Sequence, residues 1–175
     1  MSVITLFSGI YCNEKEVVQH IVESTGYRWI TDDRIVQAAY ELSKIPADTI
    51  RRSFSSRTSV FNRFTQEKER SVAFLRLATA NILAEDDFIL PGYTSLLIPN
   101  TIDHVMRVCL IAKASYRRKM AGDTLNLSQN EAEQMISVDD HQHTKWAKQI
   151  YTTNDPWEAG LYDMVIPMDQ TDPPK

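Results

Sequence analysis

The chain has 175 residues, is 43% hydrophobic and 24% charged, and carries a formal net charge of −4. This is the size of one domain that buries roughly 70% of its unfolded surface, and the acidic balance argues against general nucleic-acid binding. No apolar run is long enough to cross a bilayer, and no basic segment followed by an apolar stretch suggests a secretory signal. The two cysteines, Cys12 and Cys109, fall in or near predicted strands. We therefore expect buried, reduced thiols and a cytoplasmic protein without a membrane or nucleic-acid partner.

The first third of the chain alternates predicted strands and helices. Residues 3–7 read as a strand, 14–24 as a helix that Gly26 ends, and 27–30 as an extended piece. Thr31 or Asp32 can cap the next helix. A short helix from Pro46 toward Phe54 comes after it, and a polar loop comes after that. The apolar residues expected to face inward from the second helix are Ile35, Val36, Ala39 and Leu42.

The rest of the chain continues this alternation. We predict a long helix over 64–84, strands over 87–90, 104–112 and 161–166, a basic helix over 115–121 and a loop over 122–127. Ser128 and Glu131 form a capping box that opens a helix reaching about residue 151. Residues 1–168 are thus predicted to form one domain, and 169–175 a polar, proline-rich tail or linker.

Strands separated by helices predict a mainly parallel sheet covered on both faces. Ligands of such sheets bind beyond the carboxyl ends of the strands, where Gly9, Gly92 and Lys113 fall. The turn after the first strand is the most informative of these. Gly9 and Lys15 have the spacing of the first glycine and the lysine in G-x-x-x-x-G-K-[ST], but Glu14 replaces the second glycine and Glu16 the hydroxyl residue.

The order of five segments resembles the cytidylate kinase-like family of P-loop kinases. These segments are Ile4-Thr5-Leu6 with the following loop, residues 27–35, the strand 88–90 leading to Gly92, the strand 105–112 followed by Arg117 and Lys119, and the Tyr-Asp-hydrophobic strand 161–166. The resemblance implies a three-layer α/β/α fold with a mainly parallel central sheet, a helical acceptor-site insertion near 45–63 and a lid helix near 128–151.

The resemblance also implies a reaction, the transfer of a phosphoryl group from ATP with Mg²⁺ to a nucleoside monophosphate such as CMP. It would place the nucleotide against Gly9, Asn13, Lys15, Glu16, Arg117 and Lys119, with Lys15 and Arg117 as the catalytic candidates. It would place the acceptor phosphate against a set of basic residues, Arg51, Arg52 and Arg63.

The sequence departs from the family pattern where charge must be neutralised. Glu14 would set a carboxylate against a triphosphate, and like charges at ~4 Å repel by roughly 4 kcal/mol at an effective dielectric of 20. Tyr93 and Thr94 stand where the family has Arg-Gly, and its lid arginines fall on Gln142 and Thr144. Such arginines contribute ~10³ or more in rate.

Several other residues have a functional and a structural interpretation. Asp139 and His143 lie one helical turn apart and could share a metal ion. The better interpretation is that these two residues, with Asp140 and His141, are surface polar residues of the helix. No metal site is therefore predicted. Trp146 reads as packing rather than base stacking. Tyr11 and Tyr93 are large enough to fill the vacated phosphate site. A reactive Cys12 is disfavoured by the neighbouring glutamates.

Three functions remain open at the level of sequence. The leading hypothesis is a degenerate regulatory or sensory domain that binds a nucleotide, another anionic small molecule or a protein partner, and whose tail fits fusion to a further domain. The alternatives are an active nucleotide kinase with a non-standard loop, and a dimerisation module without a ligand.

Overall fold

A computed structural model of the chain describes residues 3–55 and 66–171. Within these residues, five strands form one parallel sheet in the order β2-β3-β1-β4-β5. The strands are β1 (Val3–Ser8), β2 (Arg28–Trp29), β3 (Phe88–Pro91), β4 (Val105–Ile111) and β5 (Met164–Pro167). The first strand is central, so the loop that follows it opens at the middle of the carboxyl-end edge of the sheet.

Helices connect the strands. They are α1 (Glu14–Thr25), α2 (Asp32–Ser43), α3 (Ala47–Arg52), α4 (Glu67–Ile82), α5 (Ala114–Leu125) and α6 (Gln129–Tyr151). Two 3₁₀ turns add to these, at Tyr93–Leu97 and Ala159–Leu161. The predicted P-loop kinase-like architecture, with a helical segment after α2 and a long lid helix, is confirmed.

The two faces of the sheet carry separate hydrophobic clusters, as the alternation of side chains along a strand requires. Val3 and Phe7 of β1 join the larger cluster with Trp146 of α6, whereas Leu6 joins Val18 of α1 on the other face. Both faces of β1 and β3 are buried, which explains why these strands read as continuous apolar runs.

Three local predictions are wrong. The closing strand begins at Met164 rather than at residue 161, because Leu161 belongs to the 3₁₀ turn Ala159–Leu161. Leu42 is 44% exposed rather than directed into the core, because it lies on the outer side of the last turn of α2. The segment after residue 121 is not a loop, since α5 continues to Leu125 and ends where Asn126 adopts a left-handed conformation. Buried Ala121 anchors α5 at this point, and such tertiary packing overrides the weak helix propensity of Gly122 and the residues after it.

The described helices include none that is both long and apolar enough to span a membrane.

Candidate functional site at the carboxyl edge of the sheet

The loop between β1 and α1 leaves a run of main-chain amides without protein acceptors. Tyr11 and Asn13 in this loop have positive φ angles of 62° and 56°, and left-handed residues of this kind occur in anion-binding nests. Within the described residues, no main-chain N–H from Ile10 to Glu16 donates to a protein acceptor; the next amide, that of Val17, donates to the Asn13 carbonyl. Unpaired amides at the start of a helix are suited to bind an anion.

Arg117, from α5, packs directly against this loop. Its Nε donates to the Ile10 carbonyl at 2.9 Å, and its two terminal nitrogens donate to the carboxylate oxygens of Asp140 at 2.9 and 2.8 Å. A Cβ added at Gly9 would lie 3.0 Å from the guanidinium carbon, so a larger residue there would press against Arg117. Arg117 is only 7% exposed, so its side chain is buried against the loop.

Sequence reasoning missed the partner of Arg117. Asp140 lies on α6, and no local pattern links it to a residue 23 positions earlier. The bidentate pair is a strong type of ion pair, and it ties the loop, α5 and the lid helix to one another.

Glu14 turns toward the end of β1 and away from solvent. The Ser8 hydroxyl donates to its carboxylate at 2.6 Å. Burial raises the pKa of Glu14, the Ser8 hydrogen bond opposes that rise, and the carboxylates of Asp32 and Asp139 add to it. The second-glycine position of the loop therefore holds a buried carboxylate whose ionised form is disfavoured.

The other loop residues predicted to contact the nucleotide are accessible. Lys15 and Glu16 are exposed on the first turn of α1, and neither has an ion-pair partner among the described residues. The Asn13 amide donates to the Tyr116 hydroxyl at 3.0 Å, and Lys119 is exposed one turn farther along α5. Their roles toward a ligand stay predictions.

A second turn, after β3, is closed by a carboxylate from α2. Asp32 accepts hydrogen bonds from the main-chain N–H groups of Tyr93 and Thr94, both at 2.9 Å, and from the Thr94 hydroxyl at 2.6 Å. Gly92 has a φ of 94°, and a Cβ there would lie 2.5 Å from Asp32 Oδ2. Burial raises the pKa of Asp32, and these hydrogen bonds oppose the rise.

The helix-capping role predicted for Thr31 or Asp32 belongs to Thr31. The role of Asp32 as the hydrogen-bond acceptor of the turn after β3 was not predicted from the sequence.

The predicted acceptor-site arginines are only partly placed. Arg51 pairs with Asp33 and Asp48 of its own neighbourhood, both at 2.8 Å, and Arg52 donates to Thr49 at 2.7 Å. Arg63 lies outside the described residues. Arg51 is therefore ion-paired and Arg52 bonds to a neutral hydroxyl, and the predicted acceptor role of these arginines stays a prediction.

The polar residues of the lid helix are not all at the surface. His141 is exposed as expected, but His143 is 5% exposed, which corrects the prediction. Its ring stacks on Tyr93 at 4.7 Å and meets the edge of Phe7 at 4.8 Å. One sequence signal could have revealed this burial. His143 lies three residues before Trp146, so both side chains are on the same face of α6, and this face is the buried one.

The aromatic residues pack against protein. Trp146 is 1% exposed and its indole N–H donates to the Tyr93 carbonyl at 2.7 Å, so its predicted packing role is confirmed.

The two tyrosines proposed to fill the phosphate site contact other residues. Tyr93 stacks on His143 and on Phe54, whereas the Tyr11 hydroxyl lies 3.7 Å from the sulfur of Met135 on the lid helix. The group that contacts Gly9 is the guanidinium of Arg117, rather than either tyrosine proposed to fill the site.

The two thiols are buried and unpaired, as the sequence predicted. Burial raises the pKa of Cys12 to about 11 and that of Cys109 to about 12. Both thiols are therefore protonated near neutral pH, which disfavours a nucleophilic role for Cys12.

Comparison with solved structures confirms the fold. An uncharacterized protein from Eubacterium ventriosum ATCC 27560 is 14% identical and superposes with a TM-score of 0.68, covering 96% of this chain and 92% of its own. Shikimate kinase from Bacteroides thetaiotaomicron is 8% identical, with a TM-score of 0.51 and coverages of 96% and 86%. Identities this low establish a shared kinase-like fold and nothing finer.

Sequence comparison assigns the family. None of the curated proteins matches the chain significantly. A family model described as the cytidylate kinase-like family matches residues 3–170, the central strand and its amide loop included. The five-stranded parallel sheet, the loop after β1 and the lid helix thus agree with the sequence match, and the chain belongs to the cytidylate kinase-like family.

Proposed function

We propose that this chain is a sensory or regulatory domain that binds a nucleotide or another polyphosphate at the β1–α1 loop and transfers little or no phosphate. The observation that carries the proposal is the combination found at this loop. Its amides from Ile10 to Glu16 are unpaired within the described residues, while the neighbouring arginine is already neutralised by Asp140.

The loop residues fit a phosphate group. Unpaired amides supply the hydrogen bonds, and exposed Lys15 supplies a positive charge on the same turn. Glu16 is an oxygen ligand of the kind that Mg²⁺ accepts, although a carboxylate replaces the usual hydroxyl. When bound, Mg²⁺ would reduce the repulsion between Glu16 and the phosphates.

Within the described residues, the arginine and the turn amides that could stabilise a transferring phosphoryl group are engaged by carboxylates, which leaves Lys15 as the available cation of the loop. Phosphoryl transfer depends on cationic groups that meet the charge developing on the transferred oxygens. Arg117 would have to leave Asp140 to do this, and Gln142 and Thr144 occupy the lid positions where the family has arginines. The amides of Tyr93 and Thr94 are held by Asp32, so they are also unavailable to an acceptor.

Titration calorimetry of the full chain with Mg·ATP, combined with a coupled assay for ADP release in the presence of CMP, tests the proposal. We expect weak one-to-one binding and no ADP release above background. Lys15→Ala should weaken binding about tenfold, because one charge-assisted contact contributes ~1.5–3 kcal/mol. Lys148→Ala, which removes an exposed lysine of the lid helix, serves as the control.

Asp140→Asn separates the proposal from its rivals. Loss of the carboxylate frees Arg117 for a phosphate, so we expect tighter ATP binding than in the wild type. Asp123→Asn makes the same charge change at an exposed site of α5 and should have little effect. Robust ADP release by the wild type would instead establish an active kinase, and the absence of binding in both proteins would favour a ligand-free dimerisation module.

A further inference from the structure

We infer that Asp139 and His143 form a binding site for a divalent first-row transition-metal ion on the inner face of the lid helix. The inference goes beyond the proposed function and does not depend on it. It rests on two buried donor atoms, Oδ2 of Asp139 and Nδ1 of His143. These atoms lie 2.9 Å apart, and each lacks a hydrogen-bond partner in the part of the chain that the structure describes.

The short separation does not make a hydrogen bond. The ring N–H of His143 is not aligned with the carboxylate oxygen, so the two atoms are close but unpaired by hydrogen-bond geometry. Two ligands at roughly 2.0–2.1 Å from one ion and 2.9 Å from each other subtend about 90° at the ion, the angle between neighbouring ligands of an octahedron. A shared cation would satisfy both atoms at once.

The surroundings favour positive charge. The His143 side chain is 6% exposed and that of Asp139 is 20% exposed, so solvent compensates the carboxylate poorly. A carboxylate oxygen of Asp140 lies within 4.8 Å of the other two donors and adds negative charge beside them.

The donor set indicates the class of ion. One imidazole nitrogen with carboxylate oxygens suits zinc, manganese or cobalt better than calcium or magnesium, which prefer oxygen donors alone. The ring of His143 is fixed by Tyr93 and Phe7, so its nitrogen is held in place before an ion arrives. The i, i+4 spacing on one helix places both donors on the same face.

The test uses the full chain after chelator treatment and dialysis, titrated with Zn²⁺ by calorimetry and with Co²⁺ by visible absorption. We expect one equivalent to bind, a Co²⁺ spectrum distinct from that of the aqueous ion, and a higher Tm with Zn²⁺. Asp139→Asn and His143→Gln should each weaken binding at least tenfold. His141→Gln, which removes an exposed histidine two residues away, should bind as the wild type does.

Every outcome bears on the inference. If His143→Gln fails to fold, Asp139→Asn decides the matter, since that side chain is less buried. Absence of one-equivalent binding in the wild type, equal binding in a folded Asp139→Asn protein, or equal weakening by His141→Gln would overturn the site and leave an ordinary histidine–aspartate ion pair.

Discussion

At the scale of single residues, Glu14 is the clearest departure of this chain from the phosphate-loop sequence pattern. The family pattern made this position conspicuous, since a glutamate stands where a glycine is expected. The sequence suggested that the carboxylate would repel a triphosphate. The structure adds that the side chain is buried and bonded to Ser8, a contact six residues away that no periodicity reveals.

Glu14→Gln should stabilise the protein at neutral pH. Because burial raises the pKa of Glu14, the folded state holds this proton more tightly than the unfolded chain. The unfolding free energy of the wild type therefore falls as the pH rises from the ordinary pKa of 4.5 through the folded pKa. Thermal unfolding should give a higher Tm for the variant than for the wild type at pH 7.5, and no such gain below about pH 4.

The control for this prediction is Glu16→Gln, on the same turn but exposed. Its Tm should match that of the wild type at both pH values. A Glu14→Gln protein less stable than the wild type at pH 7.5 would contradict a raised pKa at this site.

At the scale of elements, the turn after β3 depends on the absence of a side chain at Gly92. Gly92→Ala would strain a backbone with a φ of 94° and push against Asp32. We expect a loss of at least about 2 kcal/mol in the unfolding free energy, measured by urea denaturation. Gly160→Ala has no neighbouring atom within 4 Å of the new Cβ and should change stability by no more than about 0.5 kcal/mol.

The lid helix is held to this turn by Trp146. Trp146→Phe removes the indole N–H, leaves the Tyr93 carbonyl without that partner and reduces packing in the core. The expected cost is about 1–3 kcal/mol of unfolding free energy. Trp29→Phe, at a 38% exposed position of β2, should cost much less; equal losses would mean that the contact of α6 with the turn is unimportant.

Element boundaries show what local sequence signals can establish. The capping box at Ser128 and the glycine after α1 correctly placed one helix start and one helix end. The end of α5 was misplaced because Gly122 and its polar neighbours resemble a loop, while buried Ala121 keeps the helix docked. Propensity is a weak signal wherever packing decides.

At the scale of the whole molecule, the order of apolar segments was enough to predict the parallel sheet and the three layers. The candidate site was less predictable, because its contacts join distant segments. Arg117 was identified from the sequence as a ligand-binding candidate. Three other features were not predictable, because they depend on how α2, α5 and α6 meet at one edge of the sheet. They are the bond of Arg117 to Asp140, the hydrogen bonds from the turn after β3 to Asp32, and the burial of His143.

These contacts are the basis of the proposal that this kinase-like fold binds a phosphate group with little catalysis. At the sheet edge, carboxylates hold the guanidinium of Arg117 and the amides of Tyr93 and Thr94, whereas the amides from Ile10 to Glu16 have no acceptor within the described residues. We therefore propose that a phosphate ligand binds at the loop and that a transferred group would have few neutralising partners there.

The most direct test of this account is an NMR titration of the ¹⁵N-labelled chain with Mg·ATP, which follows each main-chain amide. We predict saturable shifts centred on the amides from Ile10 to Glu16, with the ATP signals unchanged over the course of the titration. Unmoved loop resonances, or conversion of ATP to ADP in the sample, would contradict the central claim.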